Sequence, residues 1–423
     1  MKFYQKNVFE IGTQRVNNLF SSIVLFIFAI SAIGTLSLAR NSTFSDQVLA
    51  AGTAPVGSLV FVASHPYAIK QPTARGRYLW NMEPYNGKLY VGYGDYDANT
   101  GPIKIAPYDP VTNTFILEWT SYTEAIENFR TLGGKLYAPS TDLKKTSVVG
   151  QSALYVAGLP WQNFYPFGAT HAYDMNTLNG SDLWVVGSKS TSAVAWRSTD
   201  GGLTWNVALS LPRKIKGQFE RFYFIGSYNG KIYLQAYPDY QTSKVFDGTT
   251  WTDGPNLLTW AWGWRPILFA GKMIYSQEDH GSPFYPVITA TPTQASGSPS
   301  PTGGTPTGGG GPPVDHGSPI FTFDGTTVTQ LSNNDVRIFT IDGNYFYGAS
   351  QAGLVYRTTD LINWESLGGS LPAGEYAASI AILNDTLYMG TNKANIYKLD
   401  IPLSSIPSPT PTQVPTNIPT PTP

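Results

Sequence analysis

Three glutamates stand at the same distance before three predicted hairpin turns. Glu124, Glu220 and Glu375 each precede by ten residues a turn position, at 134, 230 and 385. Equivalent positions of a repeated unit lie on one face of the fold, so this register predicts carboxylates around one rim. Paired carboxylates can serve as acid and base in glycoside cleavage when their spacing and pKa values suit. The glutamates are therefore candidate catalytic residues, with a solvated rim balanced by arginine as the alternative interpretation.

Other polar side chains fall at or near this register and are candidates for binding a ligand. Counting back from the remaining turns gives Arg77 at ten residues and His171 at nine, in a unit whose turn is longer. Charged residues nearby in the sequence complete the set of candidate ligand-binding residues: Arg130, Asp174, Arg221, Arg265 and Arg337.

Two alternating tryptophans suggest a second kind of contact. Trp262 and Trp264 precede the turn at 271, and a strand would present both on one face. At a channel mouth that face would stack on sugar rings or hold a peptide. Packing between sheets is the alternative.

One loop has the oxygen ligands of a possible calcium site. Asp95, Asp97 and Asn99 alternate, which resembles the opening of a calcium loop. The following Gly101 is one position late for an EF-hand, and Ala106 stands where that loop needs a glutamate. An ordinary hairpin loop explains the segment as well. Apart from this calcium candidate we expect no metal and no cofactor, since the four histidines lack metal-ligand spacing and the chain has no cysteine.

The elements that position these side chains are recurring hairpins. Turns such as Asn-Gly, followed by Leu-Tyr or an equivalent pair, are centred at 87, 134, 180, 230, 271, 343 and 385. Their spacings are 47, 46, 50, 41, 72 and 42, and the long one contains a Thr-, Pro- and Gly-rich insertion at 289–319. Without its 31 residues that spacing becomes 41. This period predicts an all-β, seven-bladed β-propeller of four-stranded antiparallel blades.

The last unit is one strand short. After the strands around 378–383, 387–390 and 396–399, the chain becomes Pro-rich. An open sheet edge is usually covered. The apolar segment 57–63 is available, and we predict that it closes the ring.

One hairpin carries a motif of known type, Ser-x-Asp-x-Gly-x-Thr-Trp. It resembles the Asp-box, or BNR repeat, of β-propellers that are sialidase-like or kelch-like in the broad sense, and residues 356–364 resemble a degenerate copy. The resemblance implies a propeller and no particular activity, because Asp-box propellers include sialidases, other glycosidases and binding proteins. The residues of the motif are Ser198, Asp200, Gly202, Thr204 and Trp205.

The sequence departs from sialidases themselves. Sialidases have six blades. Their active site combines an arginine cluster for the substrate carboxylate, a Tyr/Glu nucleophile pair and an Asp acid. Here there are seven units and one intact Asp-box, and no Arg-Ile-Pro type segment stands near the start.

The N-terminal segment predicts export. Basic residues up to Arg15 precede 24 uncharged residues, and the stretch 19–39 is long enough to cross a bilayer. We interpret residues 1–40 as a signal anchor or signal peptide, 41–56 as a linker, 57–402 as the propeller and 403–423 as a Pro/Thr-rich disordered tail.

The composition limits the classes of molecule that the protein is expected to bind. The net charge is −1, which argues against nucleic acid. We expect a monomeric, exported protein, membrane-anchored at the outer face or secreted, that binds a glycan or protein ligand at the channel mouth without catalysis. The alternative hypothesis is a sialidase-like glycoside hydrolase or lyase that uses the rim glutamates.

Overall fold

Short antiparallel strands make up nearly all of the regular structure. The structure is a computed structural model, and the residues that it describes are 57–143, 154–157, 161–164, 168–237, 240, 242–258, 262–278 and 319–407. The predicted N-terminal segment, most of the insertion and the end of the tail lie outside the described residues. Within these ranges, no helix combines the length and the apolar character needed to cross a bilayer.

The strands are numbered here in chain order. The first sixteen are β1 Leu59–Ser64, β2 Asn81–Tyr85, β3 Lys88–Gly94, β4 Ile103–Ile105, β5 Tyr108–Asp109, β6 Thr114–Phe115, β7 Trp119–Ser121, β8 Thr123–Ile126, β9 Arg130–Leu132, β10 Lys135–Pro139, β11 Thr141–Leu143, β12 Leu154–Val156, β13 Gln162–Phe164, β14 His171–Thr177, β15 Leu183–Lys189 and β16 Ser192–Ser198. The remaining strands are β17 Asn206–Leu211, β18 Arg221–Tyr228, β19 Lys231–Tyr237, β20 Lys244–Phe246, β21 Trp251–Asp253, β22 Trp262–Phe269, β23 Lys272–Glu278, β24 Ile320–Phe323, β25 Val328–Gln330, β26 Ile338–Asp342, β27 Tyr345–Ala349, β28 Val355–Thr358, β29 Glu365–Gly368, β30 Ala377–Leu383, β31 Thr386–Thr391 and β32 Asn395–Leu399. Short 3-10 helices cover Ala68–Lys70, Arg75–Arg77 and Leu403–Ser405.

Strands close in sequence pair in sets of four. Separate sheets are formed by β9-β10-β12-β13, by β18 to β21, by β22 to β25 and by β26 to β29. A ten-stranded sheet joins the sets β2-β3-β5-β6 and β14 to β17 through β8 and β11, while β4 and β7 form a two-stranded ribbon. Neighbouring first strands contact one another, as β14 does β18, β18 does β22 and β26 does β30, and five of the first strands, β2, β9, β22, β26 and β30, line one central cavity. The sets are therefore arranged radially around a channel.

The first strand of the described chain closes this circle, as predicted. The sheet order is β1-β32-β31-β30, and β1 runs antiparallel to β32 from the pair Leu59 and Leu399 to the pair Ser64 and Asn395. The backbone of Gly57 adds two hydrogen bonds of 3.0 Å to the neighbouring sheet, to Leu367 O and from Gly369 N. N-terminal and C-terminal residues thus share one sheet.

The folded body includes residues that the sequence assigns to the tail. Leu403 and Ile406 are buried in the same hydrophobic cluster as Leu399. The buried Arg357 guanidinium binds Glu365 at 2.7 Å and donates to the backbone carbonyls of Ile406 and Pro407. The ordered chain continues past 402 because these apolar and carbonyl groups have partners in the last two sheets.

The predicted hairpin turns have the backbone that their residues favour. Asn86 and Gly87 have φ values of 48° and 74°, and Asn229 and Gly230 have 47° and 70°. Two consecutive residues with positive φ suit the right-handed twist of a two-residue hairpin, which is why Asn-Gly is preferred there. The backbone preferences of the turn residues themselves therefore determine these hairpins.

Hydrophobic clusters fill the space between adjacent sheets. Alternate residues of β15 face two different clusters. Trp184 and Val186 pack with Phe222 of β18, whereas Val185 packs with Tyr137 of β10. The β14–β17 sheet is thus buried on both faces, and burial of this kind accommodates a high aromatic content.

Aspartates hold the turns between the third and fourth strands of five sets. Each carboxylate accepts backbone N–H bonds from residues two to four positions later, the geometry that makes Asp favourable in tight turns. The five residues are Asp109, Asp200, Asp247, Asp324 and Asp360.

The turn at Asp200 uses every fixed residue of its motif. Ser198 Oγ donates to Asp200 at 2.7 Å and accepts from Gly202 N at 2.8 Å. Thr204 Oγ1 donates to the other carboxylate oxygen at 2.6 Å, and Trp205 Nε1 donates to Gly202 O at 3.0 Å. The motif residues therefore act on one another and build the turn itself.

We expect these turns to make the fold sensitive to acid. The backbone N–H groups of Thr327 and Thr326 lower the pKa of Asp324 to about 2, and those of Thr250 and Thr249 hold the pKa of Asp247 well below its usual value. A carboxylate whose pKa is lower in the folded state stabilises the fold above the unfolded pKa, and that contribution is lost as pH falls through the folded pKa. The thermal midpoint should therefore fall between about pH 4 and about pH 2.

Paired variants test this sensitivity. An Asp247→Asn, Asp324→Asn double variant should show a flatter dependence of the thermal midpoint on pH than the natural chain. The matched control is Asp342→Asn, in an exposed hairpin turn, which should keep the natural slope. Equal slopes for all three proteins would contradict the assignment.

Candidate functional site

A cavity of about 250 Å³ lies where the first strands of five sets converge. Its wall includes three arginines, a carboxylate, an indole and four hydroxyl side chains, of which Ser379 is one. The arginines are Arg130, Arg265 and Arg337, the carboxylate is that of Glu83 and the indole is that of Trp80. The three arginines were singled out in the sequence, and the structure brings them to one cavity.

Arg130 is fixed by a fully buried carboxylate. Its Nε and Nη2 donate to the two oxygens of Asp174 at 2.7 and 2.6 Å. Asp174 lies in β14 and also accepts from the backbone N–H of Met175 at 2.8 Å. Arg130 and Asp174 thus form a two-pronged ion pair, and the charge of this guanidinium is balanced inside the protein.

Arg265 reaches the cavity from an irregular position in β22. Its φ is 49°, and the pairing of β22 with β23 shifts register between Trp264 and Ile267. Arg265 Nη2 lies 3.7 Å from Glu83 Oε2, while Glu83 Oε1 accepts from Thr131 N at 2.9 Å. The bulge thereby turns a guanidinium toward the channel.

Arg337 differs from the other two arginines in the groups to which it donates hydrogen bonds. Its guanidinium donates to the backbone carbonyls of Asn334 and Val336. Among the described residues, no carboxylate lies within ion-pair distance of Arg337. Arg337 therefore adds a positive charge to the cavity wall, and its hydrogen-bond partners are neutral backbone carbonyls.

Register shifts also mark the first strands of other sets. They fall between Ala172 and Asp174 in β14, and between Phe222 and Phe224 in β18. The residues skipped by the ladder are Tyr173 and Tyr223, so equivalent bulges present tyrosines on two neighbouring strands.

These tyrosines form a buried cluster with two predicted ligand residues. The rings of Tyr173 and Tyr223 are 4.3 Å apart, and His171 stacks on Tyr173 at 5.4 Å. Arg221 Nη1 donates to the Tyr223 hydroxyl at 2.9 Å. Burial raises the pKa of both tyrosine hydroxyls above the ordinary value.

The three glutamates do not belong to the wall of the arginine cavity. Glu124 and Glu220 are buried at the beginnings of β8 and β18. Glu375 accepts hydrogen bonds from Thr391, Asn395 and Tyr397 at 3.0 to 3.1 Å. Burial, with the adjacent Glu375 carboxylate, raises the pKa of Tyr397 to about 12. Glu375 therefore links the strands of its own sheet.

The remaining predicted residues have local partners. Arg77 is exposed and its guanidinium donates to the backbone of its own loop at Gln71 and Pro72. Trp262 and Trp264 lie in β22, where only their backbone is described.

The candidate calcium loop is occupied by internal hydrogen bonds. The oxygens of the buried Asp95 accept from Thr73 and from Ala98 N at 2.8 to 3.0 Å. Asp97 lies 3.6 Å from Arg75. Among the described residues, no three side chains of His, Cys, Asp or Glu are grouped so that they could hold a metal ion.

Sequence reasoning missed Glu83, Tyr173 and Tyr223. Counting ten residues back from each turn selected the approach to each first strand, whereas Tyr173 and Tyr223 lie seven back and Glu83 four back. These residues could have been found in the sequence as polar or aromatic residues within the apolar segments that predict the innermost strands.

Comparisons with known proteins support the radial fold. The scan against protein-family models gives no match, and the search of curated proteins gives none. The Pan2 WD40 domain of Neurospora crassa matches with a TM-score of 0.53 and 11% identity, over 82% of this chain and 96% of that one. A catalytically inactive virginiamycin B lyase from Staphylococcus aureus, with quinupristin, matches with a TM-score of 0.50 and 10% identity, over 82% and 99%. The chain is an all-β protein with a β-propeller fold.

Proposed function

We propose that this protein is an exported binding propeller whose ligand presents an acidic group to the arginine cavity. Arg337 carries the proposal, because it adds a positive charge to the channel wall with neutral carbonyl partners. A guanidinium with free N–H groups recognises carboxylates in fixed geometry. Trp80, elsewhere in the same wall, supplies an apolar face, so an acidic sugar or an acidic peptide end matches the wall.

The architecture that we propose is a seven-bladed ring with Asp-box turns at Asp200 and, in degenerate form, at Asp360. The seven sets of paired strands and the motif geometry support it. Export, with residues 1–40 as a cleaved signal or an anchor, follows from the sequence prediction alone.

Loss of the Arg337 charge should weaken binding. The probes are uronic-acid oligosaccharides with their neutral counterparts, and peptides with free or amidated C-termini. We expect Arg337→Gln to reduce binding of an acidic probe by roughly 10- to 100-fold, the value of a hydrogen bond to a charged group. Calorimetric titration gives the dissociation constants.

The matched control is Arg77→Gln, an arginine that contacts its own loop outside the cavity wall. It should bind the acidic probe as the natural chain does. Equal binding of neutral and acidic probes, or an unchanged Arg337→Gln protein, would refute the proposal.

Glycoside cleavage by Glu124, Glu220 and Glu375 is the alternative hypothesis. Glu220→Gln and Glu375→Gln variants, compared with the natural chain on the same oligosaccharides, separate the two. Turnover by the natural chain that these variants lose would establish an enzyme, whereas binding without turnover supports the module.

A further inference from the structure

The connection between β17 and β18 combines cations with exposed apolar side chains. Residues 212–219, named here the basic loop, read Pro-Arg-Lys-Ile-Lys-Gly-Gln-Phe and contain no acidic residue. Arg213, Lys214 and Lys216 are exposed. Ile215 and Phe219 expose 43% and 54% of their surface, and the Arg221 guanidinium lies 5.8 Å from the centre of the Phe219 ring. None of them contributes to the cavity.

The basic loop is held in a defined shape. The Tyr240 hydroxyl donates to Pro212 O at 3.1 Å, and Lys214 Nζ lies 3.8 Å from the centre of the Tyr240 ring. Gln218 N donates to Ile215 O at 3.2 Å, which closes a turn. Arg213, Ile215 and Lys216 are therefore presented by a folded loop.

A fourth cation lies at the same end of the molecule. Glu220 N, which follows the loop, donates to Thr191 O at 3.0 Å, next to the turn that contains the exposed Lys189. His171 begins β14 and pairs with Ser188. Lys189 therefore belongs to the end at which the innermost strands begin.

We propose that the basic loop and Lys189 rest on a surface of anionic lipid headgroups. Each Lys or Arg near such a surface contributes favourably by attraction, and isolated apolar side chains between them can enter the boundary of the acyl region. Two single apolar side chains on a projecting loop fit a fluid, featureless surface. A protein partner would instead need a continuous complementary patch of roughly 800 Å².

The predicted linker joins the propeller at the other end of the ring, since Leu59 pairs with Leu399 whereas Ser64 pairs with Asn395, near the beginning of β30. Residues 41–56 separate the predicted membrane segment from the propeller, and these 16 residues span at most about 55 Å when extended. The proposal is independent of the arginine cavity, which a different ligand would occupy.

The absence of cysteine makes a site-specific probe straightforward. The full chain with Ile215→Cys, or separately Phe219→Cys, is labelled with an environment-sensitive fluorophore and mixed with vesicles. Vesicles of phosphatidylcholine are compared with vesicles that also contain phosphatidylglycerol. We expect a blue shift of the label, and its quenching by brominated lipid, only with phosphatidylglycerol, and reversal by high salt.

Two controls make the result specific. Leu203→Cys labels an equally apolar, 77% exposed position in the Asp200 turn, which has no such cluster of cations, and should show no shift. Adding Arg213→Ser and Lys216→Ser to the Ile215→Cys chain should weaken the response about 25-fold, at about fivefold per cation. The Leu203 label also reports any insertion driven by the N-terminal segment.

Several outcomes would overturn the proposal. They are an unchanged Ile215 and Phe219 label on anionic vesicles, a shift as large at Leu203, or an equal shift on neutral vesicles. A label that ignores vesicles and responds only to an acidic protein would assign the surface to a protein partner and likewise overturn it.

Discussion

A protein that begins at residue 65, and so lacks β1, should not fold cooperatively. A protein that begins at residue 57 should keep the cooperative folding of the propeller. Without β1 the last sheet loses its pairing along β32, and Leu59 leaves the cluster of the last two sheets. The lost backbone hydrogen bonds and apolar burial amount to about 5 kcal/mol or more, comparable with the whole stability of a domain.

Chemical denaturation and limited proteolysis of the two truncated proteins measure this effect. The protein that begins at residue 57 serves as the matched control, since it keeps β1 and the hydrogen bonds of Gly57. If the protein that begins at residue 65 unfolded in one transition at the same denaturant concentration, closure by β1 would be dispensable. The radial arrangement would then be held by the faces of the sheets alone.

Replacing Asp174 by alanine should destabilise the protein by about 3–5 kcal/mol. The substitution leaves the Arg130 guanidinium buried without its carboxylate, and breaking one side of a buried pair costs more than the pair contributes. The shift of the urea midpoint at constant slope gives the free energy of unfolding.

Two further variants identify the cause. Arg130→Met combined with Asp174→Leu removes both charges and should recover most of the loss, because no unpaired buried charge then remains. Asp253→Ala removes the partner of Lys244 at the surface and should change stability by about 1 kcal/mol or less. A double variant as unstable as Asp174→Ala would show that packing, and not the unpaired charge, causes the loss.

The part of this fold that the sequence predicts is the part set by local chemistry. Asn86-Gly87 and its equivalents define hairpins through their own backbone preference, and the strand at 57–63 is apolar enough to be assigned to the open edge. The convergence of Arg130, Arg265 and Arg337 follows from the period, because equivalent strands surround one channel.

The details of the site depend on contacts between strands, which a pattern within one short segment of sequence does not show. Bulges at Tyr173, Tyr223 and Arg265 shift the register of inner strands, so a fixed count back from each turn does not give the residues that the ladder skips. The role of Glu375 likewise depends on Thr391 and Asn395, which only the folded sheet brings beside it.

Backbone hydrogen bonds run without interruption from β3 through β8 and β11 to β14. At this belt the approach is so close that a Cβ on Gly94 would stand 2.3 Å from the Ala125 side chain. Among the described residues no such ladder joins the β22–β25 and β26–β29 sheets, which both contribute to the wall of the arginine cavity. The β2-β3-β5-β6 and β14–β17 sets are thus joined through their backbones, whereas the β22–β25 and β26–β29 sheets meet through apolar side chains such as Ile274 and Phe346.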